Sequence, residues 1–377
     1  MENKDMKLER MLITCGGTGG HFYPGLAIAK AMQKQGGEVK LLLAGNNASA
    51  QKMIAAEQGV DSVLLPPMPS PGKSPVAFAA GTFKGYFICR KEIKKFHPQA
   101  LLGMGAFTSL PAVIAAKTAG LPIYLHDGNA KAGRANRILS QFARFLGTAF
   151  PLVNPEKIKC PVLHTGMPVR ESLCRSAEQL TKSSAISELN SIYGKDLDPS
   201  LPTILIFGGS QGAAVFNAAL PEALLQLNTS DIQVLHLTGR GKLDSTVLTY
   251  KDAKFRHLVT DTSEKMELFW SASDMVFSRA GGSSVAELAL FGRPAVLIPY
   301  PFAAEDHQRF NARYFADSNA GSLLDNYDLS PESARNILTD FLANPALWAE
   351  RGVNAKKLAK PAAAEDILQA ITVDLNS

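Results

Sequence analysis

Short apolar runs rich in strand-forming residues recur along the chain, and a helical pattern follows several of them. The runs are apolar at consecutive positions, which predicts strands buried on both faces of a sheet. Such strands, separated by helices, are typical of parallel sheets in α/β proteins. The runs form two sets, which predicts two doubly wound units in one chain. The first set is residues 11–15, 39–44, 100–103 and 123–126, and the second is 202–207, 233–238, 257–259, 275–278 and 295–299.

The length supports the same division. A single hydrophobic core tends to stop growing at about 250–300 residues, and this chain has 377 residues, 46% of them hydrophobic. Residues 154–170 carry three prolines and lead into the polar segment 176–200, which separates the two sets of strands. We expect domains at residues 1–163 and 164–349, with the junction near Leu163. Residues 345–377 have a helical composition, and their residues alone leave open which domain they pack on.

A glycine-rich turn follows four of the predicted strands. Where such a turn opens a helix, exposed N–H groups and the helix dipole favour an anion, which predicts phosphate binding. Glycine in one turn can equally serve close packing of a helix on a strand, but four turns at the carboxyl ends of strands weaken that alternative. In chain order, the first turn is residues 16–21 (GGTGGH), the second 103–109 (GMGAFTS), the third 208–213 (GGSQGA) and the fourth 278–284 (SRAGGSS).

The turns lack the common nucleotide-binding motifs. None spells GxGxxG, and residues 41–47 (LLLAGNN) supply no acidic residue where a dehydrogenase binds ribose. The Walker pattern GxxxxGK followed by Ser or Thr is also missing. No Asp-x-Asp pair stands where a divalent ion would bridge a diphosphate. We therefore expect N–H groups at helix N-termini, with no metal and no cofactor, to neutralise a leaving group.

Polar side chains beside the turns are the candidate functional residues. Glu287 lies among apolar neighbours on the helix after the fourth turn, which favours a carboxylate that binds a ribose diol over a solvated charge. Residues 299–312 form a donor-rich loop suited to sugar hydroxyls, or an ordinary connection. His21 directly follows the glycines of the first turn, and His126 and Asp127 end a strand. An imidazole or carboxylate there could accept the proton of an attacking hydroxyl, although a lone histidine more often caps or packs.

The charge balance and the cysteines restrict the class of protein. Lys and Arg number 39 against 34 Asp and Glu, and the net charge of +5 is too small for a dedicated nucleic-acid-binding protein. The four cysteines have no metal-ligand spacing and fit a reducing cytoplasm. The N-terminal residues lack the apolar run of a signal peptide, and no stretch of about 18 uncharged apolar residues occurs. We expect a chain that is soluble or peripheral to a membrane.

Aromatic and basic residues are interleaved between Pro75 and Phe96 (PVAFAAGTFKGYFICRKEIKKF). Apolar aromatics beside a cationic run are typical of a helix that binds an anionic membrane surface. Core packing with a solvated charged face is the alternative. The residues alone leave both interpretations open.

Seven stretches together resemble glycosyltransferase family 28. Within it they resemble the peripheral membrane enzymes that add N-acetylglucosamine to undecaprenyl-diphospho-N-acetylmuramoyl-pentapeptide (lipid I), giving lipid II in peptidoglycan biosynthesis. They occur in the family's order and span nearly the whole chain. The stretches are residues 16–29 (GGTGGHFYPGLAIA), 103–116 (GMGAFTSLPAVIAA), 126–140 (HDGNAKAGRANRILS), 166–170 (GMPVR), 208–217 (GGSQGAAVFN), 278–301 (SRAGGSSVAELALFGRPAVLIPYP) and 305–312 (EDHQRFNA).

The resemblance implies the α/β fold named GT-B, in which two Rossmann-like doubly wound parallel-sheet domains face an interdomain cleft. The N-terminal domain would bind the acceptor, the C-terminal domain would bind UDP-N-acetylglucosamine, and a C-terminal helix at about residues 350–377 would return to the first domain. The residues implied for the acceptor and the reacting centre are Thr18, Gly19, Gly20, Gly105, Ser109 and Asn129. Those implied for the donor are Arg170, Ser210, Gln211, Gly212, Ser263, Gly281, Glu287, Asp306 and Gln308.

In this family an α-linked donor sugar becomes β-linked, so the resemblance implies direct attack by the acceptor hydroxyl without a covalent enzyme intermediate. The expected base is His21, assisted or replaced by Asp127. The stretch between Pro75 and Lys95 coincides with the family's membrane-docking region. The resemblance therefore implies an enzyme at the cytoplasmic face of the plasma (inner) membrane, with cell-wall synthesis and division proteins as candidate partners.

Three departures from the family pattern stand out. Residues 126–129 read HDGN where HEQN is usual, Ala106 and Leu110 stand where glycines are usual, and Ser263 stands where an apolar residue is common. Acceptor contacts are therefore less firmly implied than donor contacts.

Three other functions are compatible with the same turns. They are transfer to another lipid such as diacylglycerol, epimerisation of a sugar nucleotide, and non-catalytic binding of a UDP-sugar in a cell-wall assembly. The complete GGSQGA and EDHQRFNA strings argue against the first alternative. The intact residues His21, Glu287 and Gln308 argue against the last.

Overall fold

The computed structural model describes residues 7–69, 72, 74–209 and 212–377, and it divides into two compact units. The first unit ends at Glu171 and also includes Lys360–Ser377, and the second unit is Ser172–Ala359. The division thus falls after Glu171 rather than near Leu163, because Val162–His164 is the last strand of the first sheet.

The first unit is built on a seven-stranded sheet whose neighbouring strands are all parallel. Its strands are β1 (Arg10–Gly16), β2 (Glu38–Ala44), β3 (Asp61–Leu64), β4 (Ala100–Gly103), β5 (Ile123–Asp127), β6 (Leu146–Thr148) and β7 (Val162–His164). They lie in the order β3-β2-β1-β4-β5-β6-β7.

Helices cover both faces of this sheet, because successive side chains of a strand point to opposite faces. Met11 and Ile13 of β1 belong to one core together with Phe22, whereas Leu12 belongs to the other core together with Cys89. The helices are α1 (Gly19–Lys34), α2 (Ala48–Glu57), α3 (Pro75–Phe96), α4 (Leu110–Thr118) and α5 (Arg134–Leu139).

The second unit has a six-stranded sheet, again with only parallel pairs. Its strands are β8 (Thr203–Phe207), β9 (Gln233–Leu237), β10 (Arg256–Thr260), β11 (Met275–Ser278), β12 (Ala295–Leu297) and β13 (Gly321–Leu323), in the order β10-β9-β8-β11-β12-β13. The helices from the boundary onward are α6 (Glu171–Gln179), α7 (Lys182–Tyr193), α8 (Ala214–Leu227), α9 (Leu243–Thr249), α10 (Met266–Ala272), α11 (Gly282–Phe291), α12 (His307–Asp317), α13 (Pro331–Ala343) and α14 (Pro345–Lys357).

The last helix, α15 (Ala363–Asn376), belongs to the first unit. Its Ile367 and Ile371 share a core with Phe22 of α1, and the buried hydroxyl of Tyr124 donates to Asp374 Oδ2 at 2.7 Å. Helix α14 stays in the second unit, so the return to the first unit begins at Lys360 rather than near residue 350.

The predicted fold class, two doubly wound parallel-sheet units, is confirmed. Every apolar run predicted as a strand overlaps one, and three of the runs (202–207, 233–238 and 295–299) extend one or two residues beyond the strand. The strands that the sequence did not indicate are short, and β3, β7 and β13 lie at sheet edges, where a strand needs less apolar character than a central one. No helix of the described residues combines the length and the apolar character that crossing a bilayer requires.

Candidate active site

The four glycine-rich turns lie in pairs at the switch points of the two sheets. In the first sheet β1 and β4 are neighbours, and they lead into the first and second turns. In the second sheet β8 and β11 are neighbours, and they lead into the third and fourth turns. Ligands of open α/β sheets bind outside the carboxyl ends of strands at such points. The switch point of each unit is therefore the candidate position for a ligand.

His21 lies between the first and second turns. Thr18 precedes helix α1, whose first residues are Gly19 and Gly20, and Thr18 Oγ1 is 3.1 Å from His21 Nδ1. A Cβ atom on Gly105 would lie 3.5 Å from His21 Nε2. The absence of a side chain at Gly105 therefore leaves space beside that nitrogen. Thr18, Gly19 and Gly20 are exposed and His21 is partly exposed, so these predicted residues form one accessible group.

The second turn is held by its own side chain and contains strained backbone. Ser109 is fully buried, and its Oγ donates to the Gly105 carbonyl at 2.7 Å, so this hydroxyl shapes the turn. Ala106 has φ 64° and ψ 157°, a combination that is essentially restricted to glycine. The alanine that replaces a usual glycine of the family therefore occupies a position with a physical need for glycine.

The substitution Ala106→Gly is expected to raise the free energy of unfolding by about 1 kcal/mol, because relief of backbone strain exceeds the added entropy of the unfolded chain. The matched control is Ala50→Gly at an exposed position of helix α2, which is expected to lower it by about 0.5–1 kcal/mol. Denaturant unfolding of both variants measures the difference. A loss of stability in Ala106→Gly equal to that of the control would contradict the strained conformation.

Asp127 organises the loop that follows β5. Oδ1 accepts hydrogen bonds from the backbone N–H of Asn129 at 3.1 Å and from Asn129 Nδ2 at 3.4 Å. Oδ2 accepts from Gly133 N at 2.8 Å and from Asn136 Nδ2 at 3.0 Å. Asp127 is 5% exposed, so its carboxylate serves this loop. Asn136 was missed by sequence reasoning, because a single asparagine early in a helix carries no signal of its own.

His126 is buried directly beneath the same loop. Its Nε2 donates to the Gly166 carbonyl at 2.9 Å. Burial lowers the pKa of His126, and the nearby imidazole of His21 lowers it further. His126 is therefore a neutral packing residue next to the accessible histidine.

Arg170 lies with the residues of the first unit. Its guanidinium is 5.4 Å from the ring centre of Tyr23, which follows the first turn on helix α1. The donor residues predicted alongside it, including Glu287 and Gln308, belong to the second unit.

Gly212 of the third turn occupies a position that excludes other residues. Gly212 has φ +65°, and a Cβ atom there would lie 2.0 Å from the Thr238 carbonyl oxygen at the end of β9. The turn backbone therefore packs directly on the neighbouring strand end. The predicted donor residues Ser210 and Gln211 lie outside the described residues.

The fourth turn leads to Glu287. Gly281 caps helix α11, and Glu287 Oε2 accepts a hydrogen bond from the indole N–H of Trp270 at 2.9 Å. This bond explains how a carboxylate is held among apolar neighbours. Trp270 was missed because a tryptophan in the run MELFWSA reads as ordinary core.

The loop before helix α12 holds two predicted sugar-binding residues. Gln308 Oε1 accepts from the Tyr300 N–H at 2.9 Å, which leaves the amide nitrogen as the available donor. Asp306, in a left-handed conformation with φ 57°, accepts from Arg309 Nε at 2.9 Å, and Arg309 also pairs with Asp325. The loop is therefore held in one conformation by ionic and hydrogen bonds.

Ser263 lies in the loop after β10, where its Oγ accepts a hydrogen bond from the Lys265 N–H at 3.1 Å. The hydroxyl of Tyr193 on helix α7 donates to the same oxygen at 3.5 Å. The hydroxyl of Ser263 therefore has two hydrogen-bond partners, at a position where the family commonly has an apolar residue.

A basic side chain, Arg279 of the fourth turn, lies at the second switch point. Within the described ranges no three His, Cys, Asp or Glu side chains come together in a way that could hold a metal ion. Arg279 of the fourth turn donates to the Ile298 carbonyl at 3.0 Å and to Asn326 Oδ1 at 2.8 Å. Burial lowers the pKa of Arg279 to about 10, so the guanidinium remains charged at neutral pH. The fourth turn therefore carries a positive charge close in sequence to the N-terminus of helix α11.

Two family models cover both switch points. The N-terminal domain model of glycosyltransferase family 28 matches residues 11–147, and the C-terminal domain model of the same family matches residues 203–368. The chain belongs to glycosyltransferase family 28. The matched residues include every predicted site residue of this family 28 chain except Arg170.

Curated relatives of this family 28 chain match along almost its whole length. The UDP-N-acetylglucosamine–N-acetylmuramyl-(pentapeptide) pyrophosphoryl-undecaprenol N-acetylglucosamine transferase of Actinobacillus pleuropneumoniae is 32% identical over 96% of this chain and 98% of that protein. The protein of the same name from Desulforamulus reducens is also 32% identical with the same coverage. The resemblance inferred from the motifs is confirmed.

One solved structure supports the family 28 assignment, and a second shares the fold. The crystal structure of MurG from Acinetobacter baumannii has a TM-score of 0.77 and 28% identity over 96% of this chain and 99% of that chain. A UDP-GlcNAc 2-epimerase from Neisseria meningitidis has a TM-score of 0.71 at 13% identity, over 96% of this chain and 99% of that chain. At that identity the likeness to the epimerase is one of fold alone.

Proposed function

We propose that the protein transfers N-acetylglucosamine from UDP-N-acetylglucosamine to lipid I, giving lipid II for peptidoglycan biosynthesis. The observation that carries this proposal is the partly exposed imidazole of His21 at one switch point, in a chain whose other switch point has two turns suited to an anionic donor. The names of the relatives specify this donor and this acceptor.

The second unit is the proposed donor domain. Glu287 accepts hydrogen bonds from the ribose diol, with Trp270 fixing the orientation of its carboxylate. Gln308 donates its amide N–H to a sugar hydroxyl, and Asp306 accepts from another. Ser263 contributes its backbone to the uracil site. The residues proposed for the diphosphate are Ser210, Gln211, Gly212 and Gly281.

The first unit is the proposed acceptor domain, and His21 is the proposed base. When Nδ1 carries the proton and donates to Thr18 Oγ1, Nε2, the nitrogen next to Gly105, carries the lone pair that can accept a proton. The acceptor hydroxyl loses its proton to Nε2 and attacks the anomeric carbon directly, while UDP leaves from the opposite face. Asp127 positions the neighbouring loop, since both of its oxygens already accept two hydrogen bonds.

Helix α3 is the proposed membrane-binding element. Gly81, Gly85 and Cys89 form its buried stripe, and Val76, Phe83 and Phe87 lie on the opposite face. These three side chains are 82%, 66% and 56% exposed, and the two phenylalanine rings contact each other at 4.9 Å. Core packing therefore does not account for these aromatics. The neighbouring basic residues Lys84, Lys91, Lys94 and Lys95 are exposed as well.

Through this face the protein binds the surface of an anionic membrane without crossing it. For a cytoplasmic lipid I transferase, that surface is the inner face of the plasma membrane. Phe83→Ser with Phe87→Ser is expected to weaken binding to phosphatidylglycerol vesicles at least about tenfold, because two exposed rings lose their insertion into the bilayer interface. Cosedimentation with the vesicles measures this binding. Tyr327→Ser, at a 79% exposed aromatic of the second unit, is the matched control. Equal binding of both variants would contradict the role of α3.

The acceptor is tested by incubating radiolabelled UDP-N-acetylglucosamine with a short-chain lipid I analogue or with diacylglycerol. Label on the lipid I analogue alone is the expected result. Label on diacylglycerol would favour transfer to another lipid. Formation of N-acetylmannosamine or its UDP derivative, without transfer to either lipid, would favour epimerisation.

A further inference from the structure

A largely buried series of hydrogen bonds ends at Thr238, beside the third turn. It connects Tyr250, at the end of helix α9, to His236 of β9 and to Asn217 of α8. The Tyr250 hydroxyl is 2.9 Å from His236 Nδ1, and His236 Nε2 is 3.1 Å from Asn217 Oδ1. Asn217 Nδ2 lies 3.1 Å from the Thr238 carbonyl oxygen. We call these four residues the β9 hydrogen-bond chain.

The direction of every bond in this chain is fixed by its last member. A carbonyl can only accept, so Asn217 donates through Nδ2 and accepts through Oδ1. His236 must then donate from Nε2, which leaves Nδ1 as an acceptor for the Tyr250 hydroxyl. Both His236 and Tyr250 are fully buried, and burial lowers the pKa of His236 to about 3. The imidazole therefore remains neutral, in one tautomer, at any physiological pH.

The Thr238 carbonyl oxygen links this chain to the third turn. Gly212 of that turn approaches the same oxygen so closely that a Cβ atom would lie 2.0 Å from it. Gly212 also closes the turn by donating its N–H to the Gly209 carbonyl at 2.8 Å. A displacement of the Thr238 carbonyl would therefore displace the turn that packs on it.

We propose that Asn217 and His236 are positioning residues that hold the third turn in the conformation that binds the diphosphate of the donor. This inference rests on the proposed function of that turn. Neither side chain needs to touch the ligand. Their effect comes from fixing the carbonyl against which the turn packs. N–H donors that are held in place bind an anion more tightly than donors that are free to move.

Three variants separate positioning from general stability. His236→Phe removes both bonds of the imidazole, whereas His236→Gln retains a donor for Asn217 and an acceptor for Tyr250. The matched control is Gln233→Leu, at the other end of the same strand. Gln233 is also fully buried. Its Nε2 donates to Thr203 Oγ1 at 2.8 Å and to the Asp198 carbonyl at 2.9 Å, and neither bond involves Thr238 or Asn217.

The affinity for UDP is measured by calorimetry on the full chain, together with the thermal midpoint. His236→Phe and Asn217→Ala are expected to weaken UDP binding about tenfold, His236→Gln is expected to restore most of it, and Gln233→Leu is expected to lower the midpoint with UDP affinity unchanged. In steady state the loss should appear in KM for the donor rather than in KM for the acceptor.

Two failures are distinguishable. If the wild-type chain does not bind UDP, the proposed function fails. If it binds UDP but His236→Phe and Asn217→Ala lose no more affinity than Gln233→Leu, the positioning role is overturned while the proposed function stands.

Discussion

Replacement of His21 by alanine is expected to lower kcat by about 10²–10⁴-fold, the usual contribution of a general base. KM for UDP-N-acetylglucosamine is expected to stay close to the wild-type value, because the proposed donor residues lie in the second unit. The thermal midpoint is also expected to change little, because the imidazole is partly exposed. Initial rates with a lipid I analogue, measured at saturating donor, test the change.

The two candidate bases are separated by Asp127→Asn. An amide NH2 at this position would face the N–H donors that now converge on the carboxylate, so kcat and the thermal midpoint are expected to fall together. The assignment of His21 as the base would be contradicted if His21→Ala kept a near-normal kcat while Asp127→Asn lost about 100-fold in kcat with an unchanged thermal midpoint.

The substitution Gly212→Ala is expected to abolish measurable UDP binding and to destabilise the second unit. An L residue in the left-handed region costs about 1–2 kcal/mol, and the new methyl group would overlap the Thr238 carbonyl, which adds about 1–3 kcal/mol of overpacking. The turn must shift to relieve the overlap. Calorimetry with UDP and denaturant unfolding measure the two effects.

Gly194→Ala is the matched control for this substitution. Gly194 has φ +61° at the end of helix α7, close to the φ of Gly212, but nothing lies within 4 Å of a Cβ atom built on it. Only the conformational cost is therefore expected there, with UDP binding intact. Equal losses in the two variants would show that the close approach to Thr238 has no role.

The central strands were predictable from the sequence, and so were the turns at their ends. A strand such as β8 (Thr203–Phe207) is buried on both faces, so its apolar run is continuous and easily recognised. The glycines of the turns were predictable for a related reason, since close backbone packing excludes other residues. Gly212 is the clearest example.

The candidate site was less predictable where contacts between residues far apart in the sequence determine the position of a side chain. Sequence placed Glu287 on a helix but gave no sign that Trp270 would hold its carboxylate. It left open whether Phe83 and Phe87 are core residues, because the face that α3 buries depends on the glycines opposite them. The positive φ of Ala106 was indicated only by the glycine that is usual there in the family, since an alanine by itself gives no sign of that conformation.

The central claim is a direct displacement at the anomeric carbon by a hydroxyl of lipid I. The most direct test is NMR spectroscopy of the product formed from UDP-N-acetylglucosamine and a lipid I analogue by the wild-type protein. The account predicts a single new N-acetylglucosamine that is β-linked to the muramoyl sugar. An α-linked product, or a UDP-sugar that is bound but never transferred, would contradict it.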